Sequence, residues 1–589
     1  MRRAAAGRDV PDRAMDWRLL RRLWPFVKPH AASFGASIAL MGLAAAAKLA
    51  GPYLIKLAID GPIARGAPGE LLPYAVFFLA AQLLEGLLDA AQTMLVRIRG
   101  EDVLRSLRSA LFAKAQRLPA GYFDATPAGR TLSRITSDVA ALSDLFSSGV
   151  AALVGDVLLL VGILAAMVHL DPFLALVSCA TLPLLLGVTE VFRRRMRAVY
   201  RTTREKTALL AGRLQEFLRG TEVLRTFGAE TWAEGEFGRA NAEHRDAFLR
   251  SVTLYALFFP LVELVAALAV GFLLWQGGGA VVRGAVTFGV LVAFIEYLQK
   301  FFRPVRDLSE KYNVLQACLA AVERIAAFLD LPEEAPGGSG RLRLAGALEF
   351  DRVGFAYDGG PPVLQEVCLA VRPGEVVALV GPTGAGKSTL VSLLLGFQRP
   401  TAGTLRVDGR DLGHLELGPY REQVALVPQE VFLFRGTVLD NICLGRPQVD
   451  RAAAEAASRA VGLHEAVLAL PQGYDTPVLE EGALLSAGQR QLVAFARALA
   501  GNPRLLLLDE ATSEVDQATE AQIEGALETL FQGRTSLVVA HRLATVRRAH
   551  RVIVLVRGRV AEEGTHAQLL RRGGLYRTLY ELQFRRPAA

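Results

Sequence analysis

Residues 381–389 read GPTGAGKST and lie between the apolar run EVVALV and the helix-like run LVSLLLGF. This spacing matches the pattern G-x-x-x-x-G-K-[ST], in which glycines let backbone N–H groups wrap a phosphate. Lys387 would bring a positive charge to the β- and γ-phosphates, and the Ser388 hydroxyl is an oxygen ligand of the kind that Mg²⁺ binds. The pattern therefore predicts a site for a nucleoside triphosphate and Mg²⁺. The residues predicted to bind the nucleotide here are Gly381, Gly384, Gly386, Lys387, Ser388 and Thr389.

A second apolar run, LLLLDEATS at 505–513, ends in two acidic residues. Asp509 is predicted to hold the Mg²⁺ shell, and Glu510 is predicted to polarise an attacking water as a general base. A strand that ends in Asp-Glu is a weak signal alone, but its position after the phosphate loop makes it strong. Together the two segments predict a nucleotide hydrolase.

The composition indicates that this hydrolase is part of a membrane protein. The 589 residues are 52% apolar and 21% charged, with a mean hydropathy of +0.31. Soluble domains have about 25% charged residues, so the composition excludes disordered and collagen-like chains and disfavours an ordinary soluble enzyme. The four cysteines are scattered without a C-x-x-C pair, so the sequence predicts no disulfide scaffold, zinc site or redox pair.

Six apolar stretches are long enough to cross about 30 Å of hydrocarbon. Basic residues crowd 1–30, 97–134 and 193–250, whereas the short segments between these regions hold few. This is the positive-inside pattern, and it predicts a multi-pass protein of the cytoplasmic membrane with both termini in the cytoplasm. It also explains the net charge of +8 without nucleic acid, which is not predicted as a partner. The predicted spans lie near 32–58, 71–94, 145–168, 172–192, 252–275 and 285–302.

The inner segments are predicted to form long helices. Proline is absent between Pro73 and Pro119, and again over 184–259, while the helical periodicity continues. About 45 residues at 1.5 Å each make about 68 Å, which is about twice the hydrocarbon thickness. We therefore expect these helices to continue into the cytoplasm, with a break near Gly220–Gly228.

The character of the chain changes at the Pro/Gly-rich segment DLPEEAPGGSG, 330–340. Beyond it, short strand-like runs alternate with helical patterns, which is typical of an α/β domain. The predicted organisation is an all-α transmembrane domain of six helices at 1–330, a linker at 331–342 and an α/β nucleotide domain at 343–589.

The segment LLSAGQRQLVAFARAL at 484–499 resembles the signature sequence of ABC-transporter ATPases. With six spans ahead of the nucleotide domain, nearly the whole chain resembles an ABC half-exporter of the multidrug or lipid type, which implies a P-loop ABC ATPase fold and ATP as the nucleotide. The resemblance also gives roles to single residues. Tyr357 would stack on adenine, Gln429 would touch Mg²⁺, Asp516 would belong to the D-loop, and His541 would contact the γ-phosphate.

Ser486, Gly488 and Gln489 belong to this signature and lie at a predicted helix N-terminus, which can bind an anion. In the family this helix faces the phosphate loop of a second copy, so that two chains sandwich two ATP molecules. A second half-transporter is therefore the implied partner. Two departures from the common family pattern are present: Ala487 replaces the usual glycine, and SEVD replaces the commoner SALD. In these departures the chain resembles the ATPase-competent member of a heterodimer. A heterodimer is slightly favoured over a homodimer that tolerates the alanine.

Three further segments resemble parts of this family that link transport to ATP. Segments 121–139 and 220–230 fall at the turns of the long inner helices and resemble the coupling helices, which rest on the ATPase. The segment LEEG at 479–482 resembles the short X-loop ahead of the signature, although Glu481 stands where a basic residue is usual.

Charged residues lie inside the predicted spans, where charges are costly and usually face a cavity or a partner. Positions 82, 85, 89 and 92 share one helix face and read as the wall of a polar cavity. Five acids against Lys48 and Lys56 favour a cationic amphipathic substrate. Internal pairing, for example of Lys48 with Glu85, is an equally weighted alternative. The five acids are Glu85, Asp89, Asp156, Glu263 and Glu296.

The predicted function is ATP-driven export of amphipathic compounds across the cytoplasmic membrane by alternating access. A lipid flippase is the main alternative, because it would use the same architecture with a lateral opening. An importer or an ATP-gated channel is less favoured, and a channel of this kind commonly carries a regulatory insertion, which this sequence does not have.

Overall fold

The structure is a computed structural model, and it describes residues 21–144, 150–334, 343–357, 359–478, 485–509, 517–540 and 542–584. These residues form two compact units. The helical unit consists of the described residues within Gly7–Gln116 and Pro127–Leu331, and the sheet unit consists of those within Arg117–Thr126 and Pro332–Ala589. Part of the predicted linker at 331–342 lies outside the described residues, so the predicted domain limits stay predictions.

The helical unit is built from α-helices joined by short turns, with π-helical turns at Ile59–Ile63 and Arg134–Asp138. One further short helix, α4, belongs to the sheet unit by its contacts. The helices up to residue 329 are α1 (Trp24–Val27), α2 (Ala31–Ala58), α3 (Leu71–Arg117), α4 (Ala120–Ala125), α5 (Ala128–Ser133), α6 (Val139–Asp144), α7 (Val150–Leu170), α8 (Pro172–Cys179), α9 (Leu182–Arg219), α10 (Thr221–Thr226), α11 (Glu230–Val282) and α12 (Phe288–Leu329).

The long proline-free stretches are continuous helices, as predicted. The 47 residues of α3 make a rod about 70 Å long at 1.5 Å per residue. The stretch that follows α8 is two helices, α9 and α11, and the predicted break between them is the short helix α10. Because each rod is much longer than about 30 Å of hydrocarbon, its polar end continues outside the membrane.

Five helical stretches among the described residues are long and apolar enough to cross a membrane, judged by length and composition. Each of them overlaps one of the predicted spans. The sixth predicted span, 285–302, falls in α12, where Glu296, Lys300 and Arg303 follow one another within 18 residues of Phe288. The apolar windows of the other five carry at most two charges, so the sixth span stays a prediction. The five stretches are Trp24–Ile63, Pro68–Arg117, Leu153–Leu170, Pro172–Arg219 and Glu230–Val282.

The end of α2 is joined to the start of α12 by hydrogen bonds to one carboxylate, that of Asp60. Thr287 caps α12, and its hydroxyl donates a hydrogen bond of 2.6 Å to Asp60 Oδ2. The backbone N–H of Gly289 donates to Asp60 Oδ1 at 2.8 Å. Since the first N–H groups of a helix have no partner within it, this carboxylate satisfies a donor at the helix end. Asp60 therefore fixes where α2 and α12 meet.

Some of the charged side chains inside the predicted spans have a neighbour of opposite charge among the described residues. Lys48 Nζ lies 3.9 Å from Glu85 Oε1 and 3.9 Å from Asp89 Oδ1. Lys311 forms a direct hydrogen-bonded ion pair with Asp156. The internal pairing that was the alternative to a cation site is thus present in the geometry for three of the five acids.

The sheet unit contains three sheets and a set of shorter helices. Its strands are β1 (Leu348–Ala356), β2 (Pro362–Val371), β3 (Val376–Val380), β4 (Ala402–Val407), β5 (Arg410–Asp411), β6 (Val424–Val427), β7 (Gly436–Thr437), β8 (Pro477–Val478), β9 (Leu505–Asp509), β10 (Thr535–Val539), β11 (Arg551–Val556) and β12 (Arg559–Gly564). Its later helices are α13 (Lys387–Leu394), α14 (Leu417–Arg421), α15 (Val438–Cys443), α16 (Arg451–Ala460), α17 (His464–Leu468), α18 (Ala487–Ala500), α19 (Gln517–Phe531), α20 (Leu543–Arg548), α21 (His566–Arg572) and α22 (Leu575–Phe584).

The largest sheet has the strand order β12-β11-β3-β10-β9-β6, with all neighbours parallel except the edge strand β12. Both of its faces are covered, because Leu505 and Leu507 of β9 belong to one buried cluster while Leu506 and Leu508 belong to another. A strand that is buried on both faces reads as a continuous apolar run. The runs ahead of the phosphate loop and ahead of Asp509 have this character for that reason. The smaller sheets are β2-β1-β4-β5 and β7-β8.

Gly289→Ala is expected to destabilise the helical unit. An added Cβ would lie 2.6 Å from both Asp60 Oδ1 and the carbonyl oxygen of Lys56, and a backbone carbonyl cannot move without shifting α2. Overpacking of this kind costs about 1–3 kcal/mol. Gly271→Ala is the matched control, because nothing lies within 4 Å of its added Cβ and alanine favours a helix. Thermal unfolding in detergent compares the two variants, and equal melting temperatures would contradict the close packing at Gly289.

Candidate nucleotide site

The glycines of the phosphate loop are required by its backbone. The loop joins β3 to α13, and Gly386, with a φ of 99°, is the residue that caps α13. Gly381 has a φ of 156°, and an added Cβ would lie 2.1 Å from the carbonyl oxygen of Leu555. Gly384 has a φ of 80° with open space around it. A loop of this kind can approach a phosphate closely because no side chain intervenes.

Lys387 lies inside the loop rather than in solvent. Only 7% of the residue is exposed, and its Nζ donates hydrogen bonds to the carbonyl oxygens of Gly381 (2.7 Å) and Pro382 (3.1 Å). Burial lowers the pKa of the Lys387 ammonium, and the nearby Asp509 carboxylate partly offsets that shift. The positive charge is thus held at the place that the loop encloses, where phosphate oxygens would meet it.

Sheet topology brings two of the three predicted metal-binding residues, Ser388 and Asp509, together. Val539 of β10 is paired with Leu379 of β3 on one side and with Asp509 of β9 on the other, so the strands end at the same edge. Ser388, at the start of α13, donates a hydrogen bond of 2.9 Å to Asp509 Oδ2. The two residues lie 121 positions apart in the chain.

The Ser388–Asp509 pair fits a Mg²⁺ site. Neighbouring ligands of an octahedral Mg²⁺ with bonds of 2.0–2.1 Å are about 2.9 Å apart. No group of three or more His, Cys, Asp or Glu side chains that could hold a metal occurs in the described part of the chain. A site with one carboxylate and one hydroxyl suits Mg²⁺, because this ion keeps several waters and takes other ligands from the phosphates of its substrate.

Gln429 lies at the same edge but is not joined to these residues. It follows β6, which is paired in parallel with β9, two residues after Val427. Its side chain is exposed, and within the described residues it makes no hydrogen bond with Ser388 or Asp509. Its predicted contact with Mg²⁺ stays a prediction.

Tyr357, which follows β1, lies beside Thr389 of α13 next to the phosphate loop. The ring of Tyr357 packs edge-on against Phe355, with centroids 4.8 Å apart, and 44% of the residue is exposed. Its hydroxyl is 3.4 Å from Thr389 Oγ1, and Thr389 itself is buried. An exposed aromatic face anchored beside the phosphate loop is suited to stacking on a nucleotide base.

The signature residues form a capped helix start. Ser486 Oγ accepts a hydrogen bond from the N–H of Gln489 (3.2 Å), and Gln489 Oε1 accepts one from the N–H of Ser486 (3.0 Å). This capping box satisfies two donors and leaves the N–H groups of Ala487 and Gly488 for another acceptor. Ala487 is the first residue of α18 and has no positive φ, so the alanine fits the helix without strain.

Several predicted residues lie outside the described part of the chain. They include the predicted general base, the D-loop aspartate, the switch histidine and the X-loop segment. Their predicted roles stay predictions. These positions are Glu510, Asp516, His541 and 479–482.

Sequence reasoning missed a partly buried arginine that ties the signature helix to the segment after Gln429. Arg497 of α18 donates hydrogen bonds to the carbonyl oxygens of Asn441 (2.8 Å) and Phe432 (3.1 Å). The Asn441 side chain both accepts from and donates to the backbone of Phe434, at 2.8 Å each. Burial lowers the pKa of Arg497 to about 10. The available signal was a charged residue within the otherwise apolar stretch LVAFARALA.

Part of the predicted segment 121–139 also belongs to the sheet unit. Gln398 Nε2 donates a hydrogen bond of 3.3 Å to Asp124 Oδ2 in α4, and the N–H of Glu334 donates to the carbonyl oxygen of Arg117 (2.8 Å). Arg421 holds Glu334 with two hydrogen bonds of 2.7 and 2.8 Å. The short helix α4 is therefore fixed to the same unit as the nucleotide site.

Comparison with known proteins gives matches over nearly the whole chain. Two family models match, "ABC transporter transmembrane region" at residues 34–305 and "ABC transporter" at residues 364–513. The chain is 36% identical to the uncharacterized ABC transporter ATP-binding protein YknV of Bacillus subtilis, over 98% of this chain and 96% of that protein. It is 35% identical to the ATP-dependent lipid A-core flippase of Alkalilimnicola ehrlichii, over 98% and 99%.

A solved structure is also similar. The structure of a bacterial Atm1-family ABC exporter with ATP bound superimposes with a TM-score of 0.78, at 28% identity. The match covers 98% of this chain and 100% of that chain.

Lys387→Ala is expected to weaken ATP binding more than Tyr357→Ala does. The lysine variant removes a charge that is held at the phosphates, whereas the tyrosine variant removes a stacking contact worth about 1–2 kcal/mol. Titration of the purified protein with a fluorescent ATP analogue gives both dissociation constants. The reverse order would count against both predicted roles.

Proposed function

The chain belongs to the ABC transporter family, and we propose that it uses ATP to export amphipathic compounds across the cytoplasmic membrane. The observation that carries the proposal is the combination, in one chain, of a Ser388–Asp509 pair beside a phosphate loop with helical stretches of membrane-crossing length, five of them among the described residues. We further propose that both termini lie in the cytoplasm, because the polar ends of the rods are basic.

The residues of the phosphate loop would bind ATP and hold it in place. Lys387 would neutralise charge on the β- and γ-phosphates, and the N-terminus of α13 would add its partial positive charge. Ser388 and Asp509 would hold Mg²⁺, which neutralises charge that develops on the phosphates during hydrolysis. Glu510, the residue after the end of β9, would accept a proton from the attacking water. Gln429 would contact the metal, and His541 would contact the γ-phosphate.

Each chain carries one phosphate loop and one signature helix, so we propose that it works with a second half-transporter. The free N–H groups of Ala487 and Gly488 would bind the γ-phosphate held by the loop of the other chain. Exposed apolar side chains are consistent with a surface that a partner covers. They are Val223 and Phe227 at the α9–α11 turn, and Phe432 and Phe434 after Gln429. Exposed apolar patches of this kind mark interaction sites.

A lipid is the second candidate substrate. The relative from Alkalilimnicola ehrlichii is named a lipid A-core flippase, and the chain matches it along its length. Export of an amphipathic drug and movement of a lipid between leaflets require the same coupling of ATP to alternating access. The predicted preference for cations rests on the excess of acidic over basic residues in the predicted spans. Lys300, which lies in the sixth predicted span, reduces that excess. Transport of matched cationic and anionic probes tests that preference.

Glu510→Gln is expected to retain ATP binding and to lower ATP turnover by ~10²-fold or more, because an amide cannot accept the proton of the attacking water. The measurement is ATPase activity of the purified protein in lipid, together with ATP affinity. Glu528→Gln, a glutamate outside the predicted site, is the control and is expected to keep full activity. Turnover near the wild-type rate in Glu510→Gln would reject this residue as the base.

The choice between a heterodimer and a homodimer is tested by expressing the chain alone. If a different half-transporter completes the site, the isolated chain is expected to show little ATPase stimulation by substrate, because its signature helix lacks the correct opposing loop. Size-exclusion chromatography with light scattering reports the assembly state in parallel. A stable homodimer with two equally fast hydrolytic sites would exclude the heterodimer.

A further inference from the structure

A cluster of four charged residues lies near the middle of the helical unit's membrane-crossing part. It consists of Lys48 on α2, Glu85 and Asp89 on α3, and Lys300 on α12. Lys48 precedes Asp60 by twelve residues and Lys300 follows Phe288 by twelve residues, which places both about 18 Å from the ends that Asp60 joins. In a hydrocarbon layer of about 30 Å that depth is close to the centre.

The members of this charge cluster are held together but not mutually satisfied. The distances of 3.9 Å from Lys48 Nζ to Glu85 Oε1 and to Asp89 Oδ1 exceed those of a charged hydrogen bond, about 2.7–2.9 Å. Glu85 Oε2 is buried and, among the described residues, has no hydrogen-bond partner. Lys300 Nζ donates one hydrogen bond, of 3.0 Å, to the carbonyl oxygen of Lys48, and within the same described part it meets no carboxylate.

A second pair of opposite charges in the same helical unit shows what a closed pair looks like. Asp156 and Lys311 form a direct hydrogen-bonded ion pair, and both side chains are at most 25% exposed. In the charge cluster, by contrast, Asp89 keeps 59% of its side chain exposed and Lys48 keeps 31%. The charge cluster is therefore open to a ligand in a way that the closed pair is not.

A glycine on α2 lets three side chains approach this helix closely beside the cluster. A Cβ added at Gly51 would lie 3.6 Å from Gln82 Oε1 and from the ring of Phe78, and 3.9 Å from Lys300 Nζ. An amide oxygen, an aromatic edge and an ammonium group thus face the same bare stretch of α2. Phe78 and Gln82 share the face of α3 that carries Glu85, so apolar surface adjoins the charges.

We propose that this charge cluster binds the headgroup of a zwitterionic amphipath, a molecule with an ammonium group, an acidic group and an apolar chain. The four charges sum to zero. A cation alone would pair with Glu85 and Asp89 and leave Lys48 without a counter-charge, and an anion alone would do the reverse. A charge left unpaired at this depth is costly. A ligand that carries both signs inserts into the open pairs, its ammonium meeting Glu85 and Asp89 and its acidic group meeting Lys48 and Lys300.

This inference rests on the proposed export function and specifies its substrate. The test uses the full chain with its partner subunit in sealed proteoliposomes. Three diacyl lipids with the same fluorescent acyl chain serve as probes: phosphatidylethanolamine, anionic phosphatidylglycerol and a cationic trimethylammonium lipid. A fluorescent alkylphosphocholine is the fourth probe, because it is zwitterionic with a single chain and so separates a diacyl lipid substrate from other zwitterionic amphipaths.

The wild-type protein is expected to move the zwitterionic probes about tenfold faster with ATP than either singly charged lipid, a factor that corresponds to about 1.4 kcal/mol. The double variant Glu85→Gln/Asp89→Asn is expected to shift the preference towards the anionic lipid, and Lys48→Gln/Lys300→Gln towards the cationic lipid. The matched control is Asp156→Asn/Lys311→Gln, which removes a closed pair and is expected to leave the ratios unchanged.

Equal rates for all probes in the wild-type protein would overturn the inference, and this result does not depend on any variant folding. Unchanged ratios in both charge-cluster variants would overturn it as well. If dye-like amphipaths are exported while the zwitterionic probes are not favoured, only the substrate assignment fails. If ATP is hydrolysed and no probe or dye moves, the proposed export function fails, and this inference with it.

Discussion

The hydrogen bond between Ser388 Oγ and Asp509 Oδ2 depends on most of the sheet unit being correctly built. It requires β3 and β9 to flank β10 in parallel, so that a loop and a carboxylate 121 residues apart meet at one edge. Parallel strands in the middle of a sheet must be covered on both faces, which explains their continuous apolar runs. The glycines follow from the same constraint, because the carbonyl oxygen of Leu555 on β11 leaves no room for a side chain at Gly381.

A different constraint shapes the helical unit. Within hydrocarbon every backbone N–H and C=O must find a partner inside the chain, and an α-helix is the way for a single segment to do so. Side-chain charges then become the exception that has to be explained. Asp156 and Lys311 cancel one another, and Asp60 satisfies donors at the start of α12. The charge cluster around Lys48 keeps opposite charges near each other without closing them, which is the arrangement expected where a polar ligand enters and leaves.

Much of this organisation could be predicted because it is encoded locally. The phosphate loop, the strand ahead of Asp509 and the uninterrupted α3 each depend on residues adjacent in sequence, and the structure contains all three. Contacts between distant segments could not be read in this way. The contact of Lys300 could not be predicted, because its partner is a backbone carbonyl of α2. A side-chain pattern does not indicate a backbone acceptor 252 residues away. Arg497 was missed for the same reason, since it also bonds to carbonyl oxygens.

Hydrogen bonds of Arg497 in the sheet unit connect the signature helix with an exposed surface. Arg497 holds the signature helix α18 and the exposed residue Phe432 in one hydrogen-bonded body, with Asn441 between them. A guanidinium that bonds carbonyl groups at fixed angles resists rotation of one segment against the other. If α18 is drawn towards ATP held by a second chain, Phe432 and Phe434 must therefore move with it rather than lag behind. These aromatic rings are exposed in the single chain, so Arg497, a partly buried residue outside the phosphate site, links the signature helix α18 to an exposed apolar surface.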